Sequence, residues 1–261
     1  MASLFIKSLI LSTLLALGLS SGAWATNLVT NGDFESGNTG FSTDYTFFPI
    51  GYTYIDPVWG LVRDMDAGYY SVVENANQVH GGFNGGPQGG SKFFVANGAT
   101  DTSQAVWKSQ VISVTQANVA YRFEAYISSV VNPSLAPPSL SFQIGNGTTW
   151  TTLGATPSLS GAPRGEWFYS FADGIFQQAG DFIIRLRNDS AVADGNDVGI
   201  DSIYFGLRTS APSFGSNPGS TPAIFNPSAV PEPSSASLVI LGLAAVLAGR
   251  RRGGRGVAAS R

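Results

Sequence analysis

The chain has no cysteine and a single histidine, His80, in 261 residues. Without cysteine there are no disulfides, thiolate metal sites or cysteine nucleophiles, and a folded domain must be held by its core alone. One imidazole is too few for the usual histidine-rich metal-dependent hydrolases. A catalytic triad would have to use His80, yet no G-x-S-x-G or equivalent nucleophile turn accompanies it, so it reads as a solvent-facing loop histidine. Charge is scarce too: charged residues make up 12% of the chain, against about 25% in ordinary globular proteins. From Thr26 to Val230 there are 8 Lys/Arg and 16 Asp/Glu. That acidic surplus repels phosphate backbones and argues against a nucleic-acid partner. Helical stripes are missing from the middle of the chain, where 4- to 8-residue alternations and Gly- and Pro-rich turns take their place.

No apolar run reaches the roughly 20 residues of an ordinary membrane span, but a shorter one lies at each end. At the N-terminus, Lys7 precedes the apolar residues 9–19, and Ala23-Trp24-Ala25 forms an A-x-A site. This is the layout of a secretory signal peptide over residues 1–25, cleaved after Ala25, with Sec-type export machinery and signal peptidase as partners. At the C-terminus, Pro231-Glu232-Pro233 leads into the apolar residues 236–249, followed directly by Arg250, Arg251 and Arg252. As a helix that run is about 21 Å long, short of a hydrocarbon core of about 30 Å, so it predicts a marginal span. Clustered arginine keeps its end cytoplasmic and leaves the preceding domain outside.

A Pro-Glu-Pro triplet, a short apolar helix and a terminal Arg cluster, in that order, resemble the PEP-CTERM sorting signal of Gram-negative bacteria. The resemblance covers about 30 residues; the tail 253–261 runs longer than its pattern. It implies processing by an exosortase, a membrane-embedded cysteine transpeptidase, in bacteria that make exopolysaccharide. The protein would then be transiently anchored in the inner membrane and delivered to the cell surface or extracellular matrix. An ordinary C-terminal anchor that is never processed is the other reading.

Between these ends, residues 26–208 read as one β-sandwich domain, 209–229 as a flexible Pro/Ser/Gly/Asn linker, and 230–261 as the sorting tail. Tyr121, Phe123, Ala125 and Ile127 alternate with Arg122, Glu124, Tyr126 and Ser128. Similar alternation recurs around 139–144 and 181–186, with further strands near 92–96, 104–115, 166–171 and 198–205. Asn31-Gly32, Asn97-Gly98, Asn146-Gly147, Ala172-Asp173-Gly174 and Asp194-Gly195 read as turns. The expected fold is all-β, an antiparallel sandwich or jelly roll, flanked by a signal helix and a short C-terminal transmembrane helix.

The opening residues 27–37 (NLVTNGDFESG) and the closing residues 197–205 (DVGIDSIYF) resemble galactose-binding-like jelly rolls, a group that includes many carbohydrate-binding modules. The resemblance implies that the first and last strands lie side by side and share a structural calcium. By that match Glu35 and Asp201 are side-chain ligands, with Asp33 a third. The alternative is that these are solvated loop carboxylates. The loop Asp194-Gly195-Asn196-Asp197 is acidic but lacks EF-hand spacing. Eight aromatic residues crowd positions 45–70. They either fill the core or include a sugar-stacking platform of Trp59 or Tyr54 with Asp56 beside it. The glycine-rich residues 81–90 lack the lysine and the strand–loop–helix context of a phosphate cradle. Glu74, Glu124 and Glu166 are the glutamates available to a glycosidase, and spacing alone pairs no two of them. No catalytic residue is assigned. The expected function is a non-enzymatic structural or adhesive component of an exopolysaccharide-rich envelope. A carbohydrate-binding module is the alternative, and a glycan-cleaving hydrolase the less favoured third.

Overall fold

Strands that alternate apolar and polar residues become stable when two sheets share their apolar faces. The computed structural model describes residues 26–51, 64–132 and 136–208, and the backbone alone of 54–56, 60–62 and 223–225. In chain order the first strands are β1 (Phe41–Ser42), β2 (Thr46–Phe47), β3 (Tyr54–Asp56), β4 (Gly60–Val62) and β5 (Tyr69–Val73). Next come β6 (Phe93–Ala96), β7 (Ala105–Ser109), β8 (Ile112–Val114), β9 (Ala120–Ser129) and β10 (Leu140–Gly145). The last are β11 (Trp150–Ala155), β12 (Trp167–Phe176), β13 (Gly180–Asn188), β14 (Val198–Leu207) and β15 (Ala223–Phe225). One sheet has the order β1-β7-β13-β10-β11, with β8 also on β13; the other runs β15-β12-β9-β14-β6-β5-β2. Pairing is antiparallel except at β2–β5 and β12–β15. The chain is an all-β sandwich.

The shared core is aromatic. Phe123 of β9 meets Phe142 of β10 edge-on at 4.7 Å, and Tyr121 stacks on Phe205 of β14 at 5.6 Å. Each such fully buried ring contributes about 1.5–3 kcal/mol by area. A second core lies on the outer side of β5 and β6, where Phe48, Met65, Val79 and Phe83 cover Val73, Phe93 and Val95. Those two strands are therefore buried on both faces, which explains why FFVA is wholly apolar and YYSVV is apolar but for the buried Ser71. Residues 172–174, expected as a turn, instead continue β12. Ala172 faces the core, while Asp173 is paired across to Arg122 of β9.

Among the described residues the only helix is a 3-10 turn, Ala76–Gln78, capped by the Asn75 side chain. None of them forms a helix long and apolar enough to cross a membrane. The expected signal peptide, its Ala23–Ala25 site, Pro231-Glu232-Pro233, the C-terminal helix and Arg250–Arg252 lie outside the described residues. Within the expected linker, β15 pairs alongside Gly174, Ile175 and Phe176 at the edge of β12.

Residues 28–32 run against β14. Leu28 N donates to Phe205 O, and Ile203 N to Gly32 O, both at 2.8 Å. A Cβ on Gly32 would stand 2.2 Å from the Ile203 carbonyl oxygen, so this close approach requires glycine.

Candidate functional site

Three neighbouring strands, β14, β9 and β12, present an ordered outward grid on the half of their sheet that the second core leaves uncovered. Strand register sets its rows. Gly199, Ser128 and Trp167 lie abreast, then Asp201, Tyr126 and Tyr169, then Tyr204, Glu124 and Phe171. Gly206, Arg122 and Asp173 form the fourth row. The first row abuts the second core: Trp167 packs edge-on against Phe93 at 5.6 Å, and its Nε1 donates to Gly86 O at 3.1 Å. The glycine-rich segment thereby forms a wall beside the grid.

The middle of the grid is aromatic. Tyr126 and Tyr169 lie 5.4 Å apart, Tyr169 and Phe171 5.7 Å, and the Arg122 guanidinium sits 4.1 Å over the Phe171 ring. Arg122 also grips Asp173 with two hydrogen bonds, Nε at 2.7 Å and Nη2 at 3.0 Å, while Arg208 stands 3.4 Å away. That paired carboxylate holds the Arg122 guanidinium more basic than usual. Burial pushes the Glu124 carboxyl up, against its hydrogen bond with the Tyr169 hydroxyl. The Tyr169 phenol is itself raised by burial and by Glu124. Flat apolar rings bordered by a carboxyl, phenols and a guanidinium can stack on sugar C–H faces and exchange hydrogen bonds with hydroxyls.

Glu35 and Asp201 are brought to one short segment, residues 88–92. Glu35 accepts from Ser91 Oγ at 2.6 Å, Ser91 N at 2.7 Å and Lys92 N at 2.9 Å, which holds its carboxyl below the usual range. Asp201, fully buried, accepts from Gln88 N at 2.8 Å and Gly89 N at 3.3 Å, with its other oxygen on Ser202 N. Burial pushes Asp201 up to about 6, and the Glu35 charge adds to the rise. All four oxygens of the two carboxyl groups thus accept hydrogen bonds from the protein. Among the described residues no group of three or more His, Cys, Asp or Glu side chains gathers to hold a metal. Asp33 lies exposed in the preceding turn, accepting from Glu35 N at 3.4 Å.

Tyr54 and Asp56 belong to β3, which pairs with β4 as a hairpin; Trp59 lies outside the described residues. His80 is half-buried rather than solvent-facing, stacked on Phe83 at 4.2 Å, and burial lowers its pKa. Glu74 and Glu166 are exposed, and only Glu124 of the three glutamates lies on the grid. Sequence reasoning missed Tyr169 and Phe171. The signal was available: Trp167, Tyr169 and Phe171 recur at period 2 opposite Phe168 and Ala172, placing rings on a face that normally turns polar groups to water.

The C-terminal segment is decided by comparison. Residues 229–252 match the PEP-CTERM protein-sorting motif. The chain is thus an exported protein carrying a C-terminal sorting signal read by exosortase-type machinery. No curated protein matches it in sequence. Among solved structures it is similar to the CBM22-1 xylan-binding domain of Paenibacillus barcinonensis Xyn10C, at 14% identity and a TM-score of 0.41, over 72% of this chain and 95% of that one. It is also similar to the Stig cyclase Fisc from Fischerella sp. TAU, at 15% identity and a TM-score of 0.47, over 71% and 98% of the two chains. A third is a family 16 carbohydrate-binding module, at 17% identity and a TM-score of 0.37, over 69% and 99%.

Proposed function

We propose that the exported domain binds an extracellular polysaccharide without cleaving it, as an adhesive or structural component of an exopolysaccharide-rich surface. The outward grid carries this reading: Tyr126, Tyr169 and Phe171 stand side by side, framed by Glu124 and by Arg122 paired to Asp173. Binding is favoured over hydrolysis by the state of the carboxyls. Both oxygens of Asp173 are taken by Arg122, with Arg208 beside them, which leaves Glu124 without a free second carboxyl on the grid where hydrolysis needs a pair. The domain would be carried out by Sec-type export, held transiently at the inner membrane of a Gram-negative-type cell, and released to the surface by the exosortase. We further infer that Glu35 and Asp201 hold a structural calcium ion, and that a Tyr54–Asp56–Trp59 platform extends the sugar-binding surface.

The test is affinity electrophoresis of the full-length chain through gels containing individual polysaccharides. We expect retardation by at least one glycan. The double variant Tyr169→Ala/Phe171→Ala should lose it, by at least tenfold in affinity, and Trp59→Ala should weaken it less. Absence of retardation by every glycan, with a normal melting profile, would sink the reading. Appearance of new reducing ends in the same incubations would replace it with the hydrolase.

A further inference from the structure

The opposite sheet carries a second outward row, and it has a different chemistry. Register sets Ser42, Lys108, Arg185, Gln143 and Thr152 abreast across β1, β7, β13, β10 and β11. The next row places Ile183, Gly145 and Trp150 beside them. Ser42, Lys108, Arg185, Ile183 and Trp150 of these rows, with Asp44, Ser109 and Gly147, line a hollow of about 350 Å³, at the small end of the ~300–1,000 Å³ typical of small-molecule sites. Lys108, Arg185 and Arg187 are three of the eight basic residues between Thr26 and Val230, so this face concentrates positive charge on an otherwise acidic domain.

The three cations are not equivalent. Lys108 is paired with Asp44, whose other oxygen accepts from Ala105 N at 2.8 Å. Arg187 is paired with Asp189. Arg185 has no carboxylate partner among the described residues. Its Nε donates to Gln143 Oε1 at 2.7 Å, Gln143 Nε2 donates on to Thr152 Oγ1 at 2.9 Å, and its guanidinium lies 4.0 Å over the Trp150 ring. Among the described residues its Nη groups have no hydrogen-bond acceptor. Burial and the neighbouring Arg187 charge work against its proton, offset in part by the more distant Asp44 charge, and a guanidinium stays charged at any ordinary pH. A half-buried cation, oriented by a glutamine and a tryptophan and left with its planar fork unsatisfied, is built to receive an anion of matching geometry.

We propose that this hollow binds the carboxylate of an acidic sugar residue, a uronate within a polysaccharide. The Nη hydrogens of Arg185 take the carboxylate, Ser42 offers a hydroxyl partner, and Trp150 and Ile183 supply apolar contact to the ring. The inference rests on the domain being a glycan binder, but it concerns a different face from the Tyr126–Tyr169–Phe171 grid.

The test is titration calorimetry of the full-length chain with a tetragalacturonate and with its fully methyl-esterified counterpart. This acid–ester comparison needs no variant. We expect the acid to bind at least tenfold more tightly, with affinity falling as salt rises from 20 to 200 mM, because the contact is an ion pair. Arg185→Gln should remove that preference, while Tyr169→Ala/Phe171→Ala should leave it intact. Equal binding of acid and ester, or an unchanged preference in Arg185→Gln, overturns the proposal. So does sulfate binding as tightly as the oligomer, which would make the hollow a simple anion site. Loss of neutral-glycan binding only in the grid variant, with the acid preference unchanged, separates failure of the one reading from failure of the other.

Discussion

Asp197 accepts a hydrogen bond from the Gly98 amide at 2.9 Å and is 6% exposed, and burial pushes its carboxyl up to about 6. Asp201 is raised to about 6 for the same reason. In the unfolded chain both titrate near 3.8. Between these values the folded state binds protons that the unfolded state has released, so stability rises as pH falls from about 6 towards 4. The lowered His80 works against this gain as pH falls below 6.5, and Glu35, Asp44 and Asp101 have lowered values whose contributions are lost as pH falls further. We expect a melting temperature several degrees higher at pH 5 than at pH 7.5 in calcium-free buffer, with the slope reduced in Asp197→Asn. A flat profile between those pH values would show that these carboxyls are not desolvated. Sequence could not single out Asp197. It shares the loop Asp194-Gly195-Asn196-Asp197 with Asp194, which remains exposed, and only the packing of 97–99 against that loop separates the two.

At the level of elements, the strands of the two sheets were largely legible, because period 2 writes the buried face directly into β9 and β13. β6 was read near 92–96 from its apolar run, but β5 was missed, since burial on both faces removes its alternation. The segment 88–92 joins two distant elements: it holds Glu35 from the opening and Asp201 from β14 through backbone amides. Both carboxylates reach it from positions more than 150 residues apart in the chain. If these side chains hold calcium, millimolar calcium should raise the melting temperature and a chelator should lower it. Saturation to a hundred times the dissociation constant corresponds to about 2.7 kcal/mol. Glu35→Gln should remove most of this response. An identical melt in calcium and chelator would mean that the amides alone balance the pair.

For the whole molecule, the prediction concerns processing at both ends. Mass spectrometry of the mature protein from its host should find a form beginning at Thr26 and ending within residues 231–235. Recovery of intact Arg250–Arg252 in the membrane fraction would instead make the chain a permanently anchored protein. These end signals are linear: translocation and sorting machineries read short stretches of hydrophobicity and charge, so the order of residues along the chain carries them without a fold. The same holds for the all-β class, which local alternation and turn residues specify. The grid of Tyr126, Tyr169 and Phe171 and the unpaired Arg185 between Lys108 and Gln143 belong to the other category. Each is made of residues from strands tens of positions apart, and register between strands is set by the packing of whole sheets. Which side chains become neighbours on the outer faces, and which charges lack a partner, was therefore decided only when the two sheets closed on their common core.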